Sequence, residues 1–430
     1  MNPPTTDILP QGYKMTELGP LPEEWKVVRV LDYCNFDRGT EPGSESYNRE
    51  GEGVIFIRVG NISAGLQELL YTKSDNIKLC NEEDILMSFD GSPGIVTKGF
   101  KGAYSSGIRK VTPKTLNLDK NFLFYILKTK FVQDVIEKYK TGITIKHASK
   151  SIQHIKIPLP PLLEQQKIAA VLSAVQEAKE KTQAVIDATK VLKKSMMKHL
   201  FTYGPVPPEE TENVPLKETE IGKVPEDWEV VKLGEIFDIQ QGKQLSAKES
   251  KEGKIKKPFL RTSNLNWGHI DISSVDEMYF TLEELKKLKL ESGDILVCEG
   301  GDIGRTALYR GELAECAYQN HLHRLRPKKN NVDVECFVFW MNHAINQKKM
   351  YTHSANRTTI PNLSSSRLKE FIFPLPPLPI QQKIASILSA IDAKIEAEEN
   401  KKQALEDLFK TLLYNLMTAK IRVTAINELP

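Results

Sequence analysis

Apolar residues recur every three to four positions along two long stretches of the chain. In one, Ile384, Leu388, Ile391, Ile395, Leu405, Phe409, Leu412 and Leu416 keep the spacing of a coiled-coil seam, with Glu398 and Lys402 in the gap. In the other, Ile168, Leu172, Val175, Ile186, Met196 and Leu200 do the same, with Lys179 and Lys193 in the gaps. Residues 164–203 and 380–420 contain neither Pro nor Gly, so each stretch predicts one uninterrupted helix. A helix of about 38 residues runs roughly 57 Å, more than a small domain needs for its own core. An antiparallel pairing about a pseudo-two-fold axis buries both seams most simply.

Elsewhere the pattern shortens to strand length. Val54-Ile55-Phe56-Ile57-Arg58-Val59, Asp84-Ile85-Leu86-Met87-Ser88-Phe89 and Asp294-Ile295-Leu296-Val297-Cys298 read as strands broken by turns, with helical pieces near residues 120–140 and 333–350. The regions ahead of the long helices are therefore α+β.

These two regions are copies of one unit. Thr16-Glu17-Leu18-Gly19-Pro20-Leu21-Pro22-Glu23-Glu24-Trp25-Lys26-Val27-Val28 returns 203 residues later, as Thr219 to Val231, with eight of 13 positions identical. The segment from Ile157-Pro158-Leu159-Pro160-Pro161-Leu162 to Leu172-Ser173-Ala174 returns 216 residues later, from Phe373 to Ala390, with thirteen identities. The stretch between the blocks thus differs by 13 residues in length while both frames persist. The expected organisation is a flexible tail 1–15, a first head 16–157, a helix 158–204, an exposed Pro-rich linker 205–218, a second head 219–373, a second helix 374–420 and a tail 421–430.

Composition adds exclusions. With 430 residues, 27% charged and 40% hydrophobic, the chain is of ordinary globular type and long enough for two domains. No apolar run approaches a membrane span, and Met1 to Gln11 has no signal-peptide pattern; a cytoplasmic protein is expected. Five cysteines at irregular spacing, without a C-x-x-C pair, read as reduced, buried thiols. Net charge is only +3, but residues 240–261 hold seven Lys or Arg against two Glu, and residues 305–329 hold six against two. Each patch reads equally well as an electrostatic footprint or as a solvated basic loop.

Catalytic signatures are missing. Asn2-Pro3-Pro4-Thr5 resembles the start of an adenine-methyltransferase motif, but Thr5 cannot stack on a flipped base and no Gly-rich cofactor loop accompanies it. There is no P-loop and no H-E-x-x-H, and His321 with His323 reads as core or surface histidine. Asp302 in Glu299-Gly300-Gly301-Asp302-Ile303-Gly304 is matched by Ser92 in Phe89-Asp90-Gly91-Ser92-Pro93-Gly94, so no carboxylate there is common to both heads. Trp25 and Trp228 read as core anchors.

Matching loops carry polar groups suited to nucleic acid. In the first head these are Arg38, Thr40, Ser44, Ser92, Thr144 and Lys146; in the second, Gln241, Lys243, Gln244, Lys248, Arg305, Arg357, Thr358 and Asn362. Arg and Lys pair with guanine or phosphate, Asn and Gln with adenine, Ser and Thr with either. The plain alternative for each loop is a solvated turn.

Taken together, Gly-x-x-Pro-Glu-x-Trp, Asp-Ile-Leu with a Gly-rich turn, the segment Gln319-Asn320-His321, and Pro-Leu-Pro-Pro-Leu-x-x-Gln-Gln-Lys-Ile-Ala before a long helix resemble the specificity subunits of type I restriction-modification systems. The likeness covers about residues 16–420; the first head departs from it with Ser105-Ser106-Gly107 in place of Gln319-Asn320-His321. The resemblance implies a non-catalytic subunit whose heads are target recognition domains. Each reads half of a split site in double-stranded DNA, and the helices set the gap and dock two methyltransferase subunits. It further implies restriction/translocase subunits in the complex, with S-adenosylmethionine, ATP and Mg held by partner subunits. Gln165, Gln166, Lys167, Gln381, Gln382 and Lys383 are the candidate docking surface, or else only cap the helix starts. The rival reading is a coiled-coil scaffold whose heads bind protein. Because the heads differ so much between the shared blocks, two unlike half-sites are expected.

Overall fold

A computed structural model describes residues 9–65, 68–244, 252–350 and 362–423. In it, the two sequence blocks of each repeat are bonded to one another. Lys26–Arg29 pairs antiparallel with Lys156–Leu159, placing Val27 opposite Pro158, and Glu229–Lys232 pairs with Ile372–Leu375, placing Val230 opposite Pro374. Proline is tolerated here because each ribbon has only two strands, leaving one side of each free of ladder bonds. Trp25 and Trp228 are buried core anchors, as expected.

Ahead of each ribbon stands a hairpin, Tyr13–Thr16 with Gly19–Pro22 and Leu216–Thr219 with Gly222–Pro225, in the same register. This corrects two expected boundaries: strand structure begins inside the supposed tail and inside the supposed linker. The linker's middle, Pro208–Asn213, is a 3-10 turn. The C-terminal tail also needs correction. Val423 is buried, and Arg422 reaches Glu164 Oε1 at 2.7 Å and Glu24 Oε1 at 2.7 Å. The carboxylates and the neighbouring Trp25 ring give that arginine a reason to fold back that no hydropathy pattern signals.

Each head carries an antiparallel sheet of matching strand order and a second sheet that shares a parallel pair. One is antiparallel, ordered Val96–Thr97, Ile85–Ser88, Ile108–Pro113, Cys34–Arg38 in the first head and Thr306–Leu308, Ile295–Cys298, Leu322–Pro327, Phe237–Gln241 in the second. The other contains a parallel pair, Phe56 with Ala103 and Phe259 with Ala317. The predicted helical pieces appear as Lys120–Ile126, Lys130–Lys138 and Val334–Asn342, the last continuing into a π-helical turn, His343–Gln347. Asp119 and Asp333 cap the matching helices, accepting from the N–H of Phe122 and Cys336 at 2.8 Å each. All five cysteines are free and buried, as expected.

The long helices run Leu162–Tyr203 and Leu378–Met417, about 63 and 60 Å at 1.5 Å per residue. The chain forms two compact units, one from residues up to 183 and from 400 onward, the other from 184–399. They divide each long helix between them and so do not follow the expected boundaries, which gave each helix its own module. In the first unit Ile168, Ala169 and Leu172 share a core with Leu416 and Met417, and in the second Ile384, Ala385 and Leu388 share one with Met197 and Leu200. The start of one helix packs on the end of the other, so the pairing is antiparallel. The polar gaps in the seams are filled: Lys179 lies over the Phe409 ring at 5.4 Å, and Lys193 Nζ is 2.5 Å from Asp392 Oδ1.

One glutamine side chain fastens each helix to its head. Gln165 is fully buried; its Oε1 accepts from Asp119 N at 2.9 Å, and its Nε2 donates to the carbonyls of Asn117 at 2.9 Å and Pro160 at 2.8 Å. Gln381, equally buried, accepts from Asp333 N at 2.8 Å and donates to Asn331 at 2.9 Å and Pro376 at 2.7 Å. Gln165 and Gln381 are therefore structural clamps, and their assignment to a docking surface is corrected. An alanine at either position removes the partner of one N–H and two carbonyls, of which the Pro160 or Pro376 bond is buried. It should cost about 2–4 kcal/mol in a denaturant titration, while Gln166→Ala, on the exposed face, should stay within roughly 0.5 kcal/mol.

His343 packs against the Phe201 and Trp340 rings in the second unit. Burial pushes its pKa down to about 4, helped by the nearby Lys348 and Lys198 ammonium groups. An unfolded imidazole titrates near about 6.5. Between those values the unfolded chain binds the extra proton, so stability falls as the pH drops through this window. The group should account for about 3 kcal/mol lost between pH 7 and 4, read as the difference in pH slope between wild type and His343→Leu in urea unfolding.

Candidate nucleic-acid interface

In the first head, the ends of several strands bring four loops together around Ser105-Ser106-Gly107. The Gly107 carbonyl accepts from the N–H of Phe89 at 2.9 Å and of Asp90 at 3.3 Å, tying in the 89–94 turn. Asp90–Gly91 then pairs with Lys146–His147, and His147 Nδ1 lies 2.7 Å from Asp90 Oδ1. From the other side Arg38 Nε donates to the Ser106 carbonyl at 3.2 Å, while Glu41 Oε1 accepts from Ser106 N and Oγ at 3.0 Å each. Buried Arg109 braces the group from beneath, donating to the Ser106 carbonyl at 2.6 Å and to Ser149 Oγ at 2.9 Å.

Of the residues predicted here, Arg38, Ser92, Thr144 and Lys146 belong to this cluster, and all but half-buried Lys146 are exposed. Lys146 Nζ straps its own loop by donating to the Gly142 carbonyl at 2.8 Å. Thr40 is half-buried, its N–H held by the Tyr104 carbonyl at 3.2 Å. Ser44 stands in the separate turn Ser44–Ser46 beside Glu45.

The second head builds the equivalent end from different side chains. Gln241, Thr262, Glu299, Gly300, Gly301, Asn320, His321 and Asn362 line one cleft. Gln241 Nε2 donates to Glu299 Oε2 at 3.2 Å and to the Asn320 carbonyl at 3.0 Å. Leu363 N donates to the Glu299 carbonyl at 2.7 Å, bringing Asn362 to the rim. Beneath them His323 is fully buried with Nε2 3.1 Å from the Leu363 carbonyl, and burial pushes its pKa down despite Glu299 nearby. Gln241 and Asn362 are therefore brought together, and Gln244 is exposed. Lys248, Arg357 and Thr358 lie outside the described residues.

Two predicted phosphate contacts are corrected. Lys243 is buried, with Nζ donating to the Tyr279 carbonyl at 2.8 Å and paired with Glu284 Oε2 at 2.7 Å. Arg305 is occupied in bracing its turn, with one arm on Asp302 Oδ2 at 3.0 Å and the other on the Thr262 carbonyl at 2.8 Å. The basic stretches behave likewise. Arg324 pairs with Asp238 and Arg326 with Asp294, while Lys256, Lys257 and Arg261 face Glu277, Glu315 and Asp276. Counting charges along the chain overstated these patches because the matching carboxylates lie on neighbouring strands and loops.

Sequence reasoning passed over Glu41, the Asp90–His147 pair and two arginines, Arg58 and Arg261. Ile57-Arg58-Val59-Gly60-Asn61 and Leu260-Arg261-Thr262-Ser263-Asn264 stand at the same 203-residue offset as the Trp blocks, which was the available signal. Among the described residues no cluster of His, Cys, Asp or Glu is arranged to hold a metal, and no helix is long and apolar enough to cross a membrane.

Two heads alike in frame and unlike at the loop end define a paired recognition protein. Residues 22–188 and 225–407 match the family model of the type I restriction modification DNA specificity domain. The MjaVIII type I restriction enzyme specificity subunit of Methanocaldococcus jannaschii is 33% identical over 418 residues, 95% of either chain. The EcoBI specificity subunit of Escherichia coli is 21% identical over 393 residues, 88% of this chain and 81% of that one. In fold, the chain resembles the S subunit of a type I restriction-modification system from M. genitalium, with TM-score 0.54, 21% identity and coverage of 91% and 96% of the two chains. This chain belongs to the family of type I restriction-modification specificity subunits, whose role is DNA recognition.

Gly39 and Gly242 hold the matching loops close. A Cβ at Gly39 would collide with the carbonyl oxygens of Tyr104 and Ser105, and one at Gly242 with those of Tyr318 and Gln319. Gly39→Ala should destabilise the first unit by about 1–3 kcal/mol. Gly60→Ala, which meets open space within a helix, should be neutral or slightly stabilising; denaturant midpoints compare the two.

Proposed function

We propose that each head reads one half of a bipartite, asymmetric site in double-stranded DNA. The long helices set the spacing, and the chain works without chemistry of its own inside a complex of two adenine methyltransferase subunits with restriction/translocase subunits. S-adenosylmethionine, ATP and Mg belong to those partners in this reading. The observation that carries it is the contrast between frame and loops. Ribbon, hairpin, sheet order and glutamine clamp repeat from head to head, whereas Arg38 becomes Gln241, Ser92 becomes Asp302, and Ser105-Ser106-Gly107 becomes Gln319-Asn320-His321. Readout falls to the polar groups at each loop end, exposed Arg38, Ser92 and Thr144 in one head and exposed Gln241 and Asn362 with half-buried Asn320 in the other. Methyltransferase docking falls to the exposed sides of the helix starts, Gln166 with Lys167 and Gln382 with Lys383.

Methylome sequencing of a methylation-free host tests this, with the chain co-expressed with its methyltransferase and compared with the methyltransferase alone. A split adenine-methylated motif with two unlike halves should appear only when the chain is present. A symmetric motif would overturn the asymmetric reading. An assembled complex that adds no motif and shows no salt-dependent DNA affinity would favour a protein-binding scaffold.

A further inference from the structure

We propose that Arg58 and Arg261 are a matched pair of DNA-phosphate contacts, one per head, gripping the backbone whatever its sequence. This rests on the DNA-reading role above and assigns a class of contact to residues outside the readout set. Both arginines are placed by the same device. Asn61 and Asn264 are buried, and the Oδ1 of each accepts from the backbone N–H of its arginine at 2.9 Å. Asn264 is itself held by the carbonyls of Asp271 at 3.0 Å and Ser274 at 2.8 Å. The residue before each arginine is tied to the central loop: Ser105 N donates to the Ile57 carbonyl and Gln319 N to the Leu260 carbonyl, both at 2.9 Å. Each arginine is thus anchored at the edge of the loop end, with the Arg58 guanidinium exposed and that of Arg261 partly covered and shared with Asp276. Arg58 is exposed with one arm on the Glu68 carbonyl at 3.3 Å, and Arg261 is half-exposed beside Asp276 at 2.8 Å.

The inference follows from what the two heads share. The loop residues around these arginines differ between heads, as unlike half-sites require. A group repeated with its whole supporting turn cannot distinguish the half-sites, and the feature common to both is the phosphodiester backbone. A guanidinium, permanently charged and forked, suits that ligand.

The test uses the full chain assembled with its methyltransferase subunits. Binding to a duplex carrying the methylated motif, and to one lacking it, is measured from 50 to 300 mM NaCl for wild type, Arg58→Gln, Arg58→Lys and Arg261→Gln. Arg58→Gln should weaken both duplexes alike, by roughly eight-fold at 0.1 M salt, and lower the slope of log K against log salt by about one. Arg58→Lys should keep the slope. Arg261→Gln should act in the same sense but less, because Asp276 already offsets part of its charge, and no variant should change the methylated motif. An unchanged slope with normal affinity, or lowered thermal stability with an unchanged slope, would show that the arginines only brace their loops. A changed motif would make them base readers; either result overturns the proposal while leaving the recognition role intact. A wild-type complex without salt-dependent DNA affinity would overturn both.

Discussion

The buried glutamine at the start of each long helix is the interaction on which the architecture depends. Gln165 and Gln381 each satisfy one N–H and two carbonyls on two pieces of chain: the loop that ends in a helix cap residue, and the proline segment leading out of the head. A buried amide with all three bonds made holds its neighbours in one arrangement, since losing any of them leaves a polar group without solvent. The direction in which a helix of about 60 Å leaves its head is thereby set at its root. Around this joint lie the Trp anchor and the proline-containing ribbon, which bring the first and last blocks of each repeat together.

Given that joint, the rest of each head is free to diverge. The frame tolerates a 13-residue difference in length between the copies because the extra chain lies between the shared blocks; among the described residues the second sheet has five strands in one head and three in the other. Divergence concentrates where strands end and several loops meet. Elements that must fit one another are held constant by packing, while side chains at the loop ends answer only to what they contact. This separation lets a duplicated frame carry two different sets of loop side chains.

Much of this was legible in the chain. The helices, their seams, the duplicated blocks, the buried Trp25 and Trp228 and the α+β heads all follow from periodicity and repetition, because burial of an apolar face imposes a spacing that can be counted. The candidate site was legible only in part. Arg38, Gln241 and Asn362 stand where the loop comparison placed them, but Lys243 and Arg305 are occupied by Glu284 and Asp302, and Gln165 faces inward. A lysine in a basic run and a glutamine beside a lysine look solvent-facing from composition, and their partners lie many residues away.

The sequence by itself determined the number of units, the class of each head, the length of the helices and, through the duplicated blocks, the family. All of these are encoded in local spacing or direct repetition. Only the tertiary structure decided which charges remain available, how the helix starts are clamped, and how the C-terminal Arg422 closes onto Glu24 and Glu164 across more than 250 residues of chain. Those outcomes depend on pairings between distant segments, and an isolated stretch of sequence carries no mark of the partner that will neutralise or bury it.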